Sequence, residues 1–125
     1  MNKILSCLIV LLLVIYGCEN DNGSYGFVLF YTNAQVMVNC GPFDLLVYID
    51  NKLAGVLEQP FLPLDSVPAC NSDNSSSLLI LKKETGKYNY NTTFRPGLSD
   101  WTGEFEIKKD SCTKVYIDLR QMSEQ

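Results

Sequence analysis

The stretch Trp101-Thr102-Gly103-Glu104-Phe105-Glu106-Ile107 decides the fold class of this chain. Apolar or small residues at the odd positions alternate with polar residues at the even positions. A period of two predicts a β-strand that buries one face and exposes the other. We therefore expect the odd positions to lie in a core, and Glu104 and Glu106 to face solvent.

The segments around this stretch indicate further strands. Residues 88–94 and 115–119 also alternate, and runs rich in β-branched and aromatic residues occupy 27–31, 45–49, 53–57 and 78–81, with 34–38 extending the first run past a kink. Asp50 and Asn51 predict a turn, because both residue types tolerate positive φ. No run beyond the N-terminal segment has helical periodicity. We predict an all-β fold, a single antiparallel β-sandwich of about seven strands.

The N-terminus predicts export. Lys3 precedes the uncharged run 4–16, which is too short for a transmembrane helix of about 20 residues but typical of a secretion signal. Ile15, Gly17 and Cys18 resemble the lipobox of bacterial lipoproteins, although Tyr16 is bulkier than the usual residue there. The resemblance implies cleavage before Cys18 and lipidation of its thiol. An uncleaved anchor helix and an ordinary signal with an incidental cysteine are the alternatives.

These observations divide the chain into a lipoprotein signal peptide (1–17), a lipidated Cys18 with a flexible tether (18–25), a β-sandwich domain (26–120) and a C-terminal tail (121–125). Loss of Lys3 leaves nine basic against 14 acidic residues, a net charge of −5. Such an acidic protein is a poor partner for nucleic acid. The expected location is the cell envelope, as an outer-membrane lipoprotein whose partner at Cys18 is membrane lipid.

Most of the residue types and motifs that support enzyme catalysis are missing from the sequence. The chain has no histidine, which removes the commonest general base and metal ligand. Paired carboxylates could still serve a glycosidase, and a working pair predicts that Asp44 or Asp100 lies near another acid in a cleft. The candidate acids are Asp44, Asp50, Asp100, Glu104, Glu106 and Asp118. Asn71-Ser72-Asp73-Asn74 could donate oxygens to Ca²⁺, but a complete site needs roughly six to eight oxygens and a fixed loop. We expect no catalytic residue, metal or cofactor.

Two further features concern carbohydrate. Trp101, Tyr88 and Tyr90 could stack on a sugar, but their alternation predicts that they belong to the core. Residues 58–76 contain three prolines and are predicted to form a long loop. Within that loop, Asp65-Ser66-Val67 resembles the Bacteroidetes O-glycosylation motif, which makes Ser66 a candidate glycosylation site.

The order of several segments resembles small Bacteroidetes lipoproteins with transthyretin-like or PEGA-like β-sandwich domains. The matching segments are Phe27–Thr32, Cys40–Asn51, Gly86–Tyr90, Trp101–Gly103 and Cys112–Val115. The resemblance implies a fold and a cellular location, because that class is largely without an assigned activity.

Three cysteines remain after Cys7 is removed and Cys18 is lipidated, which allows one disulfide in an exported protein. An up-and-down count of strands puts Cys40 at the same end as Cys70. The long loop, however, can carry Cys70 to either end, so the residues leave its partner open. The family resemblance implies that Cys70 pairs with Cys112 and that Cys40 stays unpaired.

Together these features predict a non-enzymatic binding module or structural accessory module of the envelope, with an unknown envelope protein or glycan as its partner. The alternative is a carboxylate-dependent glycan-active enzyme or a periplasmic enzyme inhibitor.

Overall fold

A computed structural model describes residues 23–33, 43–63, 65–71 and 73–120. The predicted signal peptide, the lipidation site Cys18, the predicted strand extension at 34–38, Cys40 and the C-terminal tail lie outside the described residues. The ranges that are described contain strands, turns and loops, with no helix. Accordingly, they include no helix with the length and apolar character needed to cross a membrane.

Seven strands form two sheets that pack face to face, which confirms the predicted all-β sandwich. The strands are β1 (Tyr25–Tyr31), β2 (Leu45–Ile49), β3 (Lys52–Leu57), β4 (Leu79–Glu84), β5 (Gly86–Thr93), β6 (Trp101–Ile107) and β7 (Cys112–Tyr116). The three-stranded sheet has the order β4-β1-β7 and the four-stranded sheet the order β3-β2-β5-β6. Strand β1 begins at Tyr25, one residue inside the segment predicted as tether.

Strand direction differs from the prediction at one place. Four of the strand pairs in the described residues are antiparallel, but β1 and β7 run parallel, with Phe30 opposite Val115. Strand β1 therefore lies in the middle of the smaller sheet, and β7 lies beside it at one edge. The period-two pattern could not reveal this, because alternation specifies which face of a strand is buried and not the direction of its neighbour.

The main core lies between the sheets and confirms the alternation of β6. Trp101, Phe105 and Ile107 are buried, whereas Glu104 and Glu106 are exposed. Phe30 of β1 meets the Phe105 ring edge to face at a centroid distance of 5.5 Å. Such aromatic pairs stabilise a core by roughly 0.5–1.5 kcal/mol beyond the area they bury.

Gly103 interrupts the row of large side chains on the inner face of β6 for a steric reason. It lies opposite Tyr90 of β5, and a Cβ atom at Gly103 would come within 2.6 Å of the Tyr90 ring. The absence of a side chain at Gly103 therefore lets Tyr90 lie across β6 and reach Phe30, at a centroid distance of 5.7 Å.

A second, smaller core lies on the outer side of the three-stranded sheet. Leu29 and Tyr31 of β1 point away from the main core, yet both are buried. The long loop between β3 and β4 covers them: Phe61 and Cys70 pack against this cluster, and the Phe61 and Tyr31 rings are 6.2 Å apart. The described part of the loop thus belongs to the folded body of the protein.

Hydrogen bonds and a disulfide hold this loop in place. The Phe61 backbone N–H donates to the carbonyl of Thr32 (2.7 Å), and the Asn33 side chain donates to the carbonyl of Phe61 (2.8 Å). Further along the loop, Cys70 forms a disulfide with Cys112 at the start of β7, with Cα atoms 6.2 Å apart. These are the two cysteines that the family resemblance implied. The up-and-down strand count favoured Cys40 because it took no account of the loop crossing the sheet.

Candidate functional site

The outer face of the four-stranded sheet carries an open trough of about 590 Å³. This size falls within the range of about 300–1,000 Å³ that is typical of ligand pockets. Its polar lining residues are Asp50, Asn51, Asn89, Asn91, Thr102 and Glu104. We call this feature the outer-face trough. On β5 and β6 the outward positions face one another in pairs, Asn89 opposite Glu104 and Asn91 opposite Thr102.

One end of the trough is built by the turn between β2 and β3. Asp50 and Asn51 have φ angles of 47° and 66°, which confirms the predicted turn and suits a two-residue hairpin with positive φ at both central positions. The Asp50 N–H donates to the Asn89 carbonyl (2.9 Å), and the Asn89 N–H donates to the Asp50 carboxylate (3.0 Å). Asp50 therefore extends the pairing of β2 with β5 and positions the turn beside the trough.

The loop between β5 and β6 forms a wall next to the trough, and Leu98 and Ser99 of this loop line an adjoining recess. Asp100 accepts a hydrogen bond from the Thr93 hydroxyl (2.6 Å), and its backbone N–H donates to the Thr92 carbonyl (3.1 Å). The Arg95 N–H donates to the Thr93 hydroxyl (3.0 Å). This network fixes both ends of the loop, so that the wall is preformed.

A recess of about 220 Å³ continues the trough along this wall. It shares Asn51 and Asn91 with the trough and adds Tyr48 and Leu98. Tyr48 of β2 is half-buried, and Leu98 remains 44% exposed. The trough therefore leads from a polar region of amides and carboxylates to a region with an aromatic and an aliphatic surface.

Asn91 stands where the trough and the recess meet. Its amide nitrogen donates to the Ser99 hydroxyl (2.9 Å), while its amide oxygen is buried and has no hydrogen-bond partner among the described residues. A buried acceptor without a partner costs roughly 1–3 kcal/mol. Exchanging the two amide atoms would leave the nitrogen unpartnered instead, so one polar atom of Asn91 lacks a partner in either orientation.

Of the candidate acids, Asp50 and Glu104 line the trough, whereas Asp44 and Asp100 line neither the trough nor the recess. The β2–β3 turn brings Asp50 against β5 and hence towards Glu104 on β6. The sequence could not show that proximity.

Two other candidate acids lie elsewhere. Asp118 follows β7 and binds the Arg120 guanidinium at 2.9 Å, and this hydrogen bond lowers the pKa of Asp118. Glu106 lies on the exposed face of β6, beside Lys87. No group of acidic or cysteine side chains suited to a metal ion occurs within the part of the chain that the structure describes.

Of the aromatic residues considered for sugar stacking, Trp101 is buried in the core and Tyr88 and Tyr90 pack against it, while Tyr90 also lines the trough. Trp101 is 6% exposed and meets Phe94 edge to face at 5.8 Å. Tyr88 stacks on Phe105 at 5.4 Å, and burial raises the pKa of Tyr90. Desolvation disfavours a charged phenolate, so this shift reflects the apolar surroundings of Tyr90.

Ser66 lies at an exposed turn of the long loop. Its hydroxyl donates to the Pro63 carbonyl, and the neighbouring Val67 is 62% exposed. Ser66 itself is partly exposed.

The amides of the trough were not identified from the sequence as a site. Asn89 and Asn91 were visible as polar positions of an alternating strand, but Asn51 lies on a different segment. Comparison of the chain with protein-family models, with curated proteins and with solved structures gave no match.

Proposed function

We propose that the protein is a lipoprotein of the bacterial cell envelope that acts as a non-enzymatic binding or accessory module, with its β-sandwich anchored to the outer membrane through lipid on Cys18. The order of charge, apolar run, Gly17 and Cys18 supports the anchor. Strand β1 begins at Tyr25, so only a short polar segment separates the proposed lipid from the folded domain. More than one acyl chain on the cysteine would make the attachment stable.

The outer-face trough is the observation that carries the binding function. It has the dimensions of a ligand site, it lies on the four-stranded sheet, and hydrogen bonds fix both the β2–β3 turn at its end and the loop beside the adjoining recess. Preformed walls favour binding because little conformational entropy is lost when a partner settles there. The two-sheet architecture is also what the resemblance to transthyretin-like or PEGA-like lipoproteins implies, and we propose membership of that class on these grounds.

Site-specific photo-crosslinking in native envelopes tests this function. A benzophenone amino acid replaces Thr102, whose side chain is exposed on the trough side of β6. The matched control replaces Lys114, which is exposed on β7 of the other sheet. We expect irradiation to give an adduct of higher mass from the Thr102 variant and none from the Lys114 variant. No adduct, or equal adducts from both variants, would contradict a binding role for the trough.

A glycan-active enzyme is the second candidate, and the shared position of Asp50 and Glu104 in the trough is what favours it. Against it, both side chains are exposed, whereas the proton donor of a glycosidase is held in an apolar pocket. Asp50 is also engaged by the Asn89 N–H. Release of reducing sugar from envelope polysaccharide by the parent protein, lost in both Asp50→Asn and Glu104→Gln, would establish the enzyme and exclude the binding module.

A further inference from the structure

The hydrogen-bonding groups of the outer-face trough are largely unused. Among the described residues, the side chains of Asn51, Asn89 and Thr102 make no hydrogen bond, and the carboxylate of Glu104 has no ionic partner. Outside the trough, Asn74 and Asn33 are engaged: the Asn74 side chain accepts from the Ile80 N–H (2.6 Å), and the Asn33 side chain donates to the Phe61 carbonyl (2.8 Å). The trough therefore concentrates donors and acceptors that point outward from a rigid sheet.

From this arrangement we infer that the outer-face trough binds a neutral oligosaccharide. The inference rests on the proposed binding function and specifies its ligand. A sugar hydroxyl is both a donor and an acceptor, and so is each asparagine amide. Three amides on two adjacent segments face Thr102 and Glu104 of β6, with Asn91 opposite Thr102 and Asn89 opposite Glu104. This set matches a ligand that presents several neighbouring hydroxyls.

Asn91 lies at the junction of the trough and the recess and lines both. Its amide oxygen is buried, so this atom is not among the groups that a ligand in the trough would reach. Asn91 therefore shapes the junction, and the contacts to ligand come from the exposed groups around it.

Charge argues for a neutral ligand over an anionic one. Asp50 and Glu104 line the trough, and neither the trough nor the recess has a lysine or arginine in its lining. Lys87 lies beyond Glu104, next to Glu106. A phosphate, sulfate or uronate group would face carboxylates without a cation to pair with, and like charges repel.

Tyr48 supplies the apolar surface that a sugar ring also requires. Tyr48 pairs with Asn91 on β5 and with Leu53 on β3, so the Tyr48 side chain lies between an amide and an exposed aliphatic residue. Leu98 of the wall lines the same recess. The C–H face of a pyranose can pack on the Tyr48 ring while its hydroxyls reach the exposed polar groups of the trough.

The test uses the lipidated full chain in nanodiscs, applied to an array of short neutral oligosaccharides of hexoses and N-acetylhexosamines. The affinity for the strongest binder is then measured by calorimetry for the parent and for Asn89→Ala and Tyr48→Ala. We expect each substitution to weaken binding by about tenfold, which corresponds to about 1.4 kcal/mol. Asn71→Ala, at an exposed asparagine of the long loop, is the matched control and should bind like the parent.

Four results would overturn the inference. Binding that is unchanged in Asn89→Ala and Tyr48→Ala, with thermal melts like that of the parent, would place the sugar elsewhere. Tighter binding of a sulfated form of the same oligosaccharide would exclude a neutral ligand. If no array member binds while Thr102 crosslinks to an envelope protein, the ligand is a protein: the oligosaccharide fails and the binding function stands. If Thr102 gives no adduct either, both proposals fail.

Discussion

Removing the Cys70–Cys112 disulfide is expected to lower the free energy of unfolding by about 4 kcal/mol. The two cysteines are 42 residues apart in sequence. In the chain-entropy model, a closed loop of this length lowers the entropy of the unfolded chain by about 13 cal/mol/K, or about 4 kcal/mol at 25 °C. That is a large fraction of the total stability of a typical domain, about 5–15 kcal/mol.

The structure predicts that most of this loss arises in the unfolded state. The long loop keeps its backbone hydrogen bonds to Thr32 and Ser76 without the disulfide, and Phe61 still packs against Tyr31. We therefore expect the native fold to persist, with the loop docked on the three-stranded sheet. The change then appears as a shift of the unfolding equilibrium rather than as a rearranged native state.

Urea unfolding followed by the fluorescence of Trp101 measures the effect, because this single tryptophan is buried in the main core. The variant Cys70→Ala/Cys112→Ala is compared with its parent, both carrying Cys40→Ala so that no other disulfide can form. Reducing the parent with dithiothreitol should reproduce the midpoint of the variant. A difference below about 1 kcal/mol would refute the reasoning, since it would mean that the link constrains little of the unfolded chain.

Four further results are expected. Trp101→Ala should destabilise the protein by about 3–5 kcal/mol in urea melts. Trp101→Phe should destabilise it less, because phenylalanine keeps the contact with Phe94 and removes an indole N–H that has no partner. A loss under about 1 kcal/mol for the alanine variant would show that the core tolerates the cavity. Burial raises the pKa of Tyr90 above 10.0, so the contribution of Tyr90 to stability is complete below about pH 10 and is lost as pH rises through the folded-state pKa. Tyr90→Phe should therefore reduce the fall of the urea midpoint at alkaline pH. An unchanged slope would assign that fall to other groups. A palmitate analogue should label the parent but not Cys18→Ala, and labelling that persists in the variant would remove the proposed anchor. Intact mass from the native host should be higher in the parent than in Ser66→Ala by more than the lost oxygen, and a difference of that oxygen alone would mean that Ser66 carries no glycan.

The sequence predicts the strands of this protein well because alternation is a local property. In β6, odd or even position decides which face of the strand a side chain occupies, and Trp101 is buried and Glu104 exposed as this alternation predicts. The turn at Asp50 and Asn51 is predictable for the same reason, since the positive φ angles depend on residue type. These features depend only on nearby residues and can be predicted without knowing how the rest of the chain folds.

The trough is different, because its residues come from separate segments. Asn51 lies in the β2–β3 turn, Asn91 on β5 and Glu104 on β6, and only the strand order β3-β2-β5-β6 brings them together. No local pattern encodes which strands are neighbours. The sequence therefore indicated polar positions without indicating that they form one surface.

The sequence by itself determined the all-β class, the buried faces of the strands, the main turn and the export-type order of the N-terminal residues, since each depends on residues that are close together in the chain. Only the tertiary structure decided that β1 runs parallel to β7, that the long loop closes a second core over Leu29, and that Asp50 and Glu104 share a trough. The physical reason is that period and residue type fix local conformation and the burial of a face, whereas strand partners depend on the packing of the whole chain.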